Sequence, residues 1–363
     1  QVAPPAKSGY DWRGEHMLFD YEASEQRFGS AIDARQAAEL RSAGINNSIG
    51  FFLHVPFPCY EAFRAVPGHE FLLRALTAYD VVGFHTPRDL KAFRTCLEEP
   101  IVDATFIDDT RVRVGDGELI ADVFPIGIDV DEIQKLSSDS QSMKTVQRMV
   151  SSLDGRQLLI GVDRLDYSKG LKLRLRSYER LLERYPNAQR NVTFIQIAPP
   201  TRTGVRAYDE IRSELEQTSG HINGRFAESD WVPIRYLNKG VDRKPLMGFF
   251  RNADVGLVTP VRDGMNLVAK EYDAAQDPRN PGMLVLSSLT GAACELTDAI
   301  IVNPYDRDDV ADGIANALSM SLDERKERTA SMIEVLRKND ITAWRTRFVD
   351  ALMRKRVGPR LDA

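Results

Sequence analysis

Residues 253–272 read ADVGLVTPVRDGMNLVAKEY, and this stretch decides how the fold is interpreted. The run from Ala253 to Thr259 is short, rich in β-branched residues and stopped by Pro260, which is typical of a buried parallel strand. A strand, a turn eased by Gly264 and a helix N-terminus aim backbone N–H groups and the positive end of the helix dipole at one point. The stretch therefore predicts a place for a phosphate or a sugar hydroxyl, with an ordinary strand-to-helix turn as the alternative.

The same rhythm of strand and helix fills the second half of the chain around this stretch. Strands are predicted at 158–162, 192–197, 232–236, 253–259, 283–287 and 300–302. Helices are predicted at 171–185, 205–216, 243–250, 266–276, 306–318 and 322–337. In the first of these helices apolar residues recur at spacings of four and three, which indicates one face packing on a sheet. The alternation predicts a doubly wound α/β domain.

The first half carries a shorter version of this alternation. A helix begins near Ala31 and is closed by Gly44, and a strand at 49–53 ends at His54. Further strands are predicted at 79–84, 101–106 and 121–124, helices at 71–76 and 87–97, and a tight hairpin at 115–117. These elements indicate βαβ units. No element is predicted in residues 1–30.

Turn residues interrupt the alternation at PIGID, residues 125–129, and we place the domain hinge there. The fold is interpreted as α/β, with one Rossmann-like domain at 1–127 and another at 128–340. Two such domains place ligands between the carboxyl edges of their sheets. A final amphipathic helix within residues 341–363 is predicted to cross back to the N-terminal domain.

Length and charge limit the possible functions. With 363 residues, 43% of them hydrophobic, the chain can build two domains with substantial cores, which excludes a single small module. The net charge is −5 and 28% of the residues are charged, with both signs represented. Because no broad basic field results, we expect no nucleic acid partner, and anions should be bound by local Arg and Lys clusters.

The cysteines and the apolar runs indicate a cytoplasmic protein. Cys59, Cys96 and Cys294 are odd in number, far apart and without a CxxC pair, which argues against a disulfide framework and a zinc site. No run approaches the roughly 18 apolar residues of a membrane helix, and no leader is recognisable, so no membrane partner is expected. Because the first residue is Gln1, we expect that the start of the natural chain is not represented.

A second motif, GVDRLDYSKG at 161–170, again joins a strand, a polar loop and a helix start. Arg164 and Lys169 leave the same connection, where two cations beside helix N–H groups could hold a diphosphate through charge-assisted hydrogen bonds. In the alternative interpretation Arg164 pairs with Asp163 or Asp166 in an ordinary surface network.

Two more strand ends carry candidate residues. The loop QIAPPTRTGVR at 196–206 places Arg202 just past a strand, and Arg202 is a better phosphate ligand than Arg206, which could be a solvated helix residue. His54 follows an apolar strand and precedes a loop with two prolines, which would hold an imidazole rigidly at a cleft. A structural histidine is the alternative.

Other chemistry finds no motif in the sequence. The chain has no GxxxxGK[ST] loop, no GxSxG elbow and no HExxH helix, so a P-loop kinase, a hydrolase triad and a zincin are all disfavoured. The glycines near Gly161 do not form the dinucleotide fingerprint.

Taken together, the motifs resemble those of the trehalose-6-phosphate synthases, which are retaining glycosyltransferases of the two-domain GT-B architecture. The resemblance runs from about Gly44 to about Met353 through FFLHVPFP, DVVGFHT, PIGID, DRLDYSKG, QIAPPTR, DRKPLM, DVGLVTPVRDGMNLVAKEY, LVLS and IVNPYDRDDVA. It implies two Rossmann-like domains facing across a cleft. It also implies transfer of glucose from UDP-glucose to glucose 6-phosphate, giving α,α-trehalose 6-phosphate and UDP in trehalose biosynthesis.

The resemblance implies roles for individual residues. Arg164 and Lys169 would hold the donor diphosphate, and Asp263 would accept hydrogen bonds from the donor glucose. His54 would lie near the reacting carbon, and Arg202 would bind the acceptor phosphate. The remaining donor contacts would come from Leu246 at the base, Glu271 at the ribose, and the backbone of Gly264, Met265, Asn266, Leu267 and Val268.

The implied mechanism is front-face attack, in which the leaving phosphate takes the acceptor proton. No protein nucleophile, cofactor or metal is then required, and catalysis consists mostly of positioning and charge stabilisation. The oligomeric state is left open, with a homo-oligomer as one alternative.

The departures from the family lie at the start of the chain. Gln1 stands where the family has a phosphate-binding arginine, and the sequence between Pro5 and Ala31 is too short for the family's other acceptor-binding segments. We therefore expect an N-terminal domain that is incomplete in this sequence, because half a Rossmann sheet would expose edges and an unfilled core; a degenerate N-terminal domain is the alternative. Two alternatives remain open: a sister glucosyltransferase that uses glycerol 3-phosphate as acceptor or ADP-glucose as donor, and a regulatory protein that binds the nucleotide sugar without turnover.

Overall fold

The computed structural model describes residues 47–115, 117–200 and 206–355, without the side chains of 206, 207 and 355. The chain divides into two compact units between Asp122 and Val123. The first unit contains the described residues up to Asp122 together with 351–355, and the second is Val123–Asp350. The helix predicted to close at Gly44 lies outside the described residues. The predicted domain limits, 1–127, 128–340 and 341–363, stay predictions.

The first unit is built on a five-stranded sheet. Its strands are β1 (Gly50–Phe52), β2 (Val81–Phe84), β3 (Ala104–Phe106), β4 (Arg111–Val114) and β5 (Gly117–Val123). Their order in the sheet is β1-β2-β5-β4-β3, in which β1 and β2 are parallel, whereas β3, β4 and β5 form an antiparallel meander. The hairpin predicted at 115–117 joins β4 to β5.

The strand predicted at 101–106 differs from its expected place in a βαβ unit. It is shorter, Ala104–Phe106, and lies at the far edge of the sheet, antiparallel to Arg111–Val114. The physical reason is the turn at Asp108, whose carboxylate accepts from the backbone N–H groups of Thr110 at 2.9 Å and Arg111 at 2.7 Å. A turn this short can only return the chain antiparallel.

The helices of the first unit pack around an aromatic core. They are α1 (Tyr60–Arg64), which was not predicted, α2 (His69–Leu76) and α3 (Pro87–Leu97). Thr86 caps α3 by accepting from the backbone N–H of Asp89 at 3.2 Å. The largest fully buried side chains of this core are those of Phe63, Leu73, Phe84, Phe93, Leu97 and Leu119.

The second unit contains a six-stranded parallel sheet. Its strands are β6 (Gln157–Val162), β7 (Val192–Ile197), β8 (Ile234–Leu237), β9 (Val255–Val258), β10 (Met283–Ser287) and β11 (Ile300–Val302). Their order in the sheet is β11-β10-β9-β6-β7-β8. The chain proceeds outward from β6 through β7 to β8, then returns to the centre at β9 and proceeds the other way. The order reverses between β6 and β9, so the loops that follow these two strands meet at the switch point, where open α/β sheets bind ligands.

Helices cover both faces of this sheet, as a doubly wound fold requires. Their bounds are α4 Val130–Asp139, α5 Lys144–Ser151, α6 Leu171–Arg184, α7 Arg206–Phe226, α8 Arg243–Arg251, α9 Leu267–Ala274, α10 Arg307–Ser319, α11 Leu322–Lys338 and α12 Ile341–Lys355. Leu158 and Ile160 point into one hydrophobic cluster and Leu159 into the other, so β6 is buried on both faces. This explains its continuous apolar run.

The elements predicted in the second unit exist, several of them with changed ends. Helix α7 continues to Phe226 rather than stopping near Glu216, and the strand predicted at 253–259 is confined to Val255–Val258. Helices α4 and α5 follow the predicted hinge and were not predicted. Among the described residues, every helix is too short or too polar to cross a membrane.

Candidate functional site

The loop after β6 places Lys169 at the switch point. Asp166 accepts at 2.8 Å from both the backbone N–H and the hydroxyl of Ser168, and so caps a short 3-10 turn at Tyr167–Lys169. Gly170 then takes a left-handed conformation with φ 63°. An Asx turn followed by a glycine in this conformation lets the chain enter α6 directly after Lys169.

The loops after β6 and β9 are joined through their backbones. The carbonyl of Ser168 accepts from the N–H groups of Val261 at 2.9 Å and Arg262 at 3.2 Å. A Cβ on Gly170 would lie 3.0 Å from the carbonyl oxygen of Thr259. Glycine is therefore needed at position 170 for close approach as well as for its backbone conformation.

Lys169 and Asp263 form the central ion pair of the site. The Lys169 Nζ lies 2.6 Å from the Asp263 Oδ2, and each side chain keeps 15% of its surface exposed. Burial alone would lower the pKa of Lys169, but the carboxylates of Asp263 and Asp163 outweigh it and the pKa is raised. The lysine is therefore a cation at neutral pH, held partly out of water, where charge interactions are stronger.

The turn at 263–266 is fixed by side-chain hydrogen bonds. Asp263 accepts from the Gly264 backbone N–H at 3.0 Å and from the Asn266 side-chain amide at 2.9 Å. Asn266 has φ 71° and caps α9 by accepting from the Ala269 N–H at 3.1 Å. Because α9 begins at Leu267, the first N–H groups of the helix cannot pair with carbonyls of its own turns.

A second segment, which follows β10, supports this turn from the other side. The backbone N–H of Asp263 donates to the carbonyl of Leu289 at 3.2 Å, and the N–H of Ala292 donates to the carbonyl of Met265 at 2.9 Å. The turn is thus held along its length by backbone contacts before any ligand arrives, which lowers the cost of ordering it on binding.

Glu271 lies one turn into α9, next to helix α8. Arg243, the first residue of α8, places its Nη2 3.8 Å from Glu271 Oε1. Burial raises the pKa of Glu271 to about 6, against the opposing effect of Arg243. Leu246 follows one turn later on α8 and is partly buried against the core. The structure therefore places Leu246 and Glu271 on neighbouring helices, and their binding of a common ligand stays a prediction.

Beneath the Lys169 loop lies a buried arginine that the sequence analysis did not identify. The Arg174 side chain is fully buried and pairs with Asp163 at 2.5 Å. Arg164 is partly buried on the same connection, and its predicted pairing with Asp163 or Asp166 stays an alternative. The signal was present, since Arg174 falls between Leu171, Leu175 and Tyr178 on the apolar stripe of α6.

Two further predicted residues, His54 and Arg202, belong to other segments of the chain. His54 follows β1 in the first unit, with its ring 4.9 Å from that of Phe52 and 5.7 Å from that of His85. Partial burial lowers the pKa of His54, which favours the neutral imidazole. Arg202 lies outside the described residues. Within the part of the chain that the structure describes, no group of three or more His, Cys, Asp and Glu side chains could hold a metal ion.

The geometry can be compared with known proteins. The sequence model of glycosyltransferase family 20 matches residues 36–354. The trehalose-6-phosphate synthase of Klebsiella pneumoniae is 50% identical over 328 residues, which are 90% of this chain and 68% of that protein.

Solved structures agree with the sequence match. A UDP-forming α,α-trehalose-phosphate synthase from Burkholderia xenovorans in complex with glucose-6-phosphate has a TM-score of 0.85 at 48% identity, covering 88% of this chain and 70% of that one. A trehalose-6-phosphate protein from E. coli bound with UDP-2-fluoro glucose also gives 0.85 at 48% identity, covering 90% and 72%. These likenesses confirm the predicted α/β, two-domain GT-B architecture.

Proposed function

The chain belongs to glycosyltransferase family 20, and we propose that it transfers glucose from UDP-glucose to glucose 6-phosphate to form α,α-trehalose 6-phosphate and UDP. The observation that carries this proposal is the Lys169–Asp263 pair at the switch point of the parallel sheet. A cation for a diphosphate and a carboxylate for a sugar hydroxyl stand side by side there. Relatives of about half identical sequence have been solved with glucose-6-phosphate and with UDP-2-fluoro glucose.

In this proposal Arg164 and Lys169 bind the donor diphosphate. Both leave the connection between β6 and α6, and Lys169 is charged at neutral pH. As the bond to glucose breaks, negative charge grows on the leaving phosphate, and two fixed cations stabilise it in a site partly shielded from water. We propose that this charge stabilisation needs no metal ion.

The donor sugar and nucleoside contact the turn at 263–266 and helix α9. Asp263 accepts hydrogen bonds from glucose hydroxyls, which replace its present partner Lys169. Glu271 binds the ribose and Leu246 the base. The remaining donor contacts are the backbone groups of Gly264, Met265, Asn266, Leu267 and Val268, at the positive end of the α9 dipole.

The roles proposed for His54 and Arg202 rest on sequence matches. His54, in the loop after β1, is proposed to contact the donor glucose near the reacting carbon, and its lowered pKa suits a neutral hydrogen-bonding imidazole. Arg202 is proposed to bind the phosphate of glucose 6-phosphate. Both residues lie in segments that match the family motifs FFLHVPFP and QIAPPTR.

The proposed chemistry is front-face attack with retention at the anomeric carbon. The acceptor hydroxyl gives its proton to the leaving phosphate as the new bond forms, so no side chain acts as nucleophile. A further solved relative, with 48% identity and a TM-score of 0.84, is described in terms of glycosyltransfer with retention, studied through bisubstrate glycomimetics. The enzyme contributes positioning and charge stabilisation, which together can lower a barrier by many kcal/mol.

A UDP-release assay tests the proposal. UDP-glucose is incubated with the chain and glucose 6-phosphate, glycerol 3-phosphate or no acceptor, and ADP-glucose replaces the donor in a parallel series. We expect release from UDP-glucose only when glucose 6-phosphate is present. Release with glycerol 3-phosphate alone would assign the sister activity, and UDP-glucose binding without release would assign the regulatory function.

A further inference from the structure

A single arginine below the proposed diphosphate site contacts the ends of three strands and the turn that carries Lys169. Arg174 donates from Nε to the Thr259 hydroxyl at 3.0 Å, and from Nη1 to Asp163 at 2.5 Å and Gln196 at 3.1 Å. Its Nη2 donates to the carbonyl oxygen of Lys169 at 3.4 Å. The four acceptors come from the ends of β6, β7 and β9 and from the turn that presents Lys169.

The surrounding chain leaves room for this arrangement. A Cβ on Gly161 would lie 2.7 Å from Gln196 Oε1 and 3.0 Å from Arg174 Nη1, so the glycine in β6 admits the guanidinium and its amide partner. Gln196 is itself fully buried and also donates to the Gly161 carbonyl at 3.1 Å. The guanidinium thus lies in a closed polar cluster between the sheet and α6.

Only an arginine can make this set of contacts. Its planar group directs several N–H donors in fixed directions, whereas a lysine ammonium is a single point at the end of a flexible chain. An ammonium at position 174 could pair with Asp163, but it could not reach Thr259 and the Lys169 carbonyl at the same time. The charges alternate along the cluster, from Arg174 to Asp163 and from Lys169 to Asp263.

We propose that Arg174 is a positioning residue for the glucosyl transfer: it holds the Tyr167–Lys169 turn against the strand ends and thereby places the Lys169 ammonium at the donor diphosphate. This inference rests on the proposed function of Lys169. Arg174 is fully buried, so it acts through Lys169 and does not touch the donor. A purely structural arginine would stabilise the fold but would have no special link to Lys169.

A double-mutant cycle separates these two roles. The wild-type chain, Arg174→Lys, Lys169→Gln and the double variant are compared for kcat, for KM of UDP-glucose and for the dissociation constant of UDP. We expect Arg174→Lys to lower kcat about tenfold or more in the wild-type background, and to cause little further loss once Lys169 is absent. Equal losses in both backgrounds would overturn the proposal.

Two further variants keep the test decisive. Thr259→Val removes only the hydroxyl that accepts from Arg174 Nε, and this variant replaces Arg174→Lys in the cycle if Arg174→Lys does not fold. We expect its coupling with Lys169→Gln to have the same sign. Arg251→Lys is the matched control, because Arg251 is also largely buried and paired, 3.1 Å from Asp277, but precedes β9 and so lies at the opposite edge of the sheet. Arg251→Lys should change kcat by the same factor with and without Lys169.

The outcomes also separate this proposal from the proposed function. A wild-type chain that binds UDP without transferring glucose would refute the function, and coupling between the variants in UDP affinity would still support the positioning role. Transfer by the wild type with no coupling would refute the positioning role alone. A chain that binds no UDP would refute both.

Discussion

At the scale of single residues, Lys169 is the side chain on which the proposed chemistry depends most. Lys169→Met removes the cation that faces the leaving phosphate, and we expect kcat to fall about a hundredfold to a thousandfold. The fold should persist, because Asp263 keeps its hydrogen bonds from Gly264 and Asn266. Steady-state kinetics and a thermal melt measure the two effects.

A lysine three residues further on provides the control for this variant. Lys172 lies on the same helix end, is 51% exposed and pairs with Glu214 at 3.0 Å. Exposed ion pairs contribute little, so Lys172→Met should leave kcat near that of the wild type. Comparable losses in the two variants would show that the charge of Lys169 has no special role.

The raised pKa of Glu271 predicts that donor binding depends on pH. Its pKa is raised by burial to about 6, so the carboxylate that should accept ribose hydrogen bonds becomes protonated as the pH falls through that value. We expect the affinity for UDP-glucose, a ligand with no group that titrates near pH 6, to weaken from pH 7 to pH 5. Titration calorimetry should show a weaker and nearly flat profile for Glu271→Gln; an equally steep profile would assign the pH dependence to another group.

At the scale of elements, Gly127 fixes the connection that leads into α4. A Cβ at this position would lie 2.0 Å from the carbonyl oxygen of Asn339 and 2.4 Å from the carbonyl carbon of Asp340, both backbone atoms. Because backbone cannot move aside as a flexible side chain can, Gly127→Ala should lower the free energy of unfolding by about 3 kcal/mol. Urea denaturation measures the change.

A glycine in open space provides the matched variant. Gly224 lies inside helix α7, and no atom is found within 4 Å of the position of its missing Cβ. Gly224→Ala should therefore raise the free energy of unfolding by about 0.5–1 kcal/mol, since alanine loses less backbone entropy in a helix. A Gly127→Ala variant as stable as the wild type would contradict the close packing around Gly127.

The elements with strong local signals in the sequence were predicted with their correct bounds. The strands at 192–197, 283–287 and 300–302 and the helix at 87–97 have the predicted bounds, because continuous apolar runs and a Thr–Pro helix start are local signals. Helices α4 and α5 were missed because each buries only a few residues, such as Ile133 and Val146, among polar ones. Tertiary packing stabilises them more than any local preference.

The candidate site likewise contains residues that local motifs predict and residues whose contacts depend on the tertiary fold. Lys169 and the turn at 263–266 were predicted because strand ends, glycines and charges coincide in short motifs. Their mutual contact could be expected only from the strand order, which places β6 beside β9. The role of Arg174 depends on acceptors at positions 163, 169, 196 and 259, and pairing over such separations cannot be predicted from local pattern.

At the scale of the whole molecule, the faces of the sheet in the second unit provide stability, and its carboxyl edge carries the residues of the proposed site. Two hydrophobic clusters cover its two faces and bury the strands almost completely. The carboxyl edge carries the charged loops, which are held by backbone contacts and the buried Arg174 cluster. Function can then depend on a few loop residues while the core keeps the fold.

The proposed glucosyl transfer is tested most directly by identifying the product formed from UDP-glucose labelled with ¹³C at the anomeric carbon. With glucose 6-phosphate as acceptor, we predict that the label appears by NMR in a non-reducing 1,1-linked disaccharide phosphate with both anomeric centres in the α configuration, together with equimolar UDP. Label found in free glucose, in a β linkage or still in UDP-glucose after prolonged incubation with both substrates would contradict this transfer.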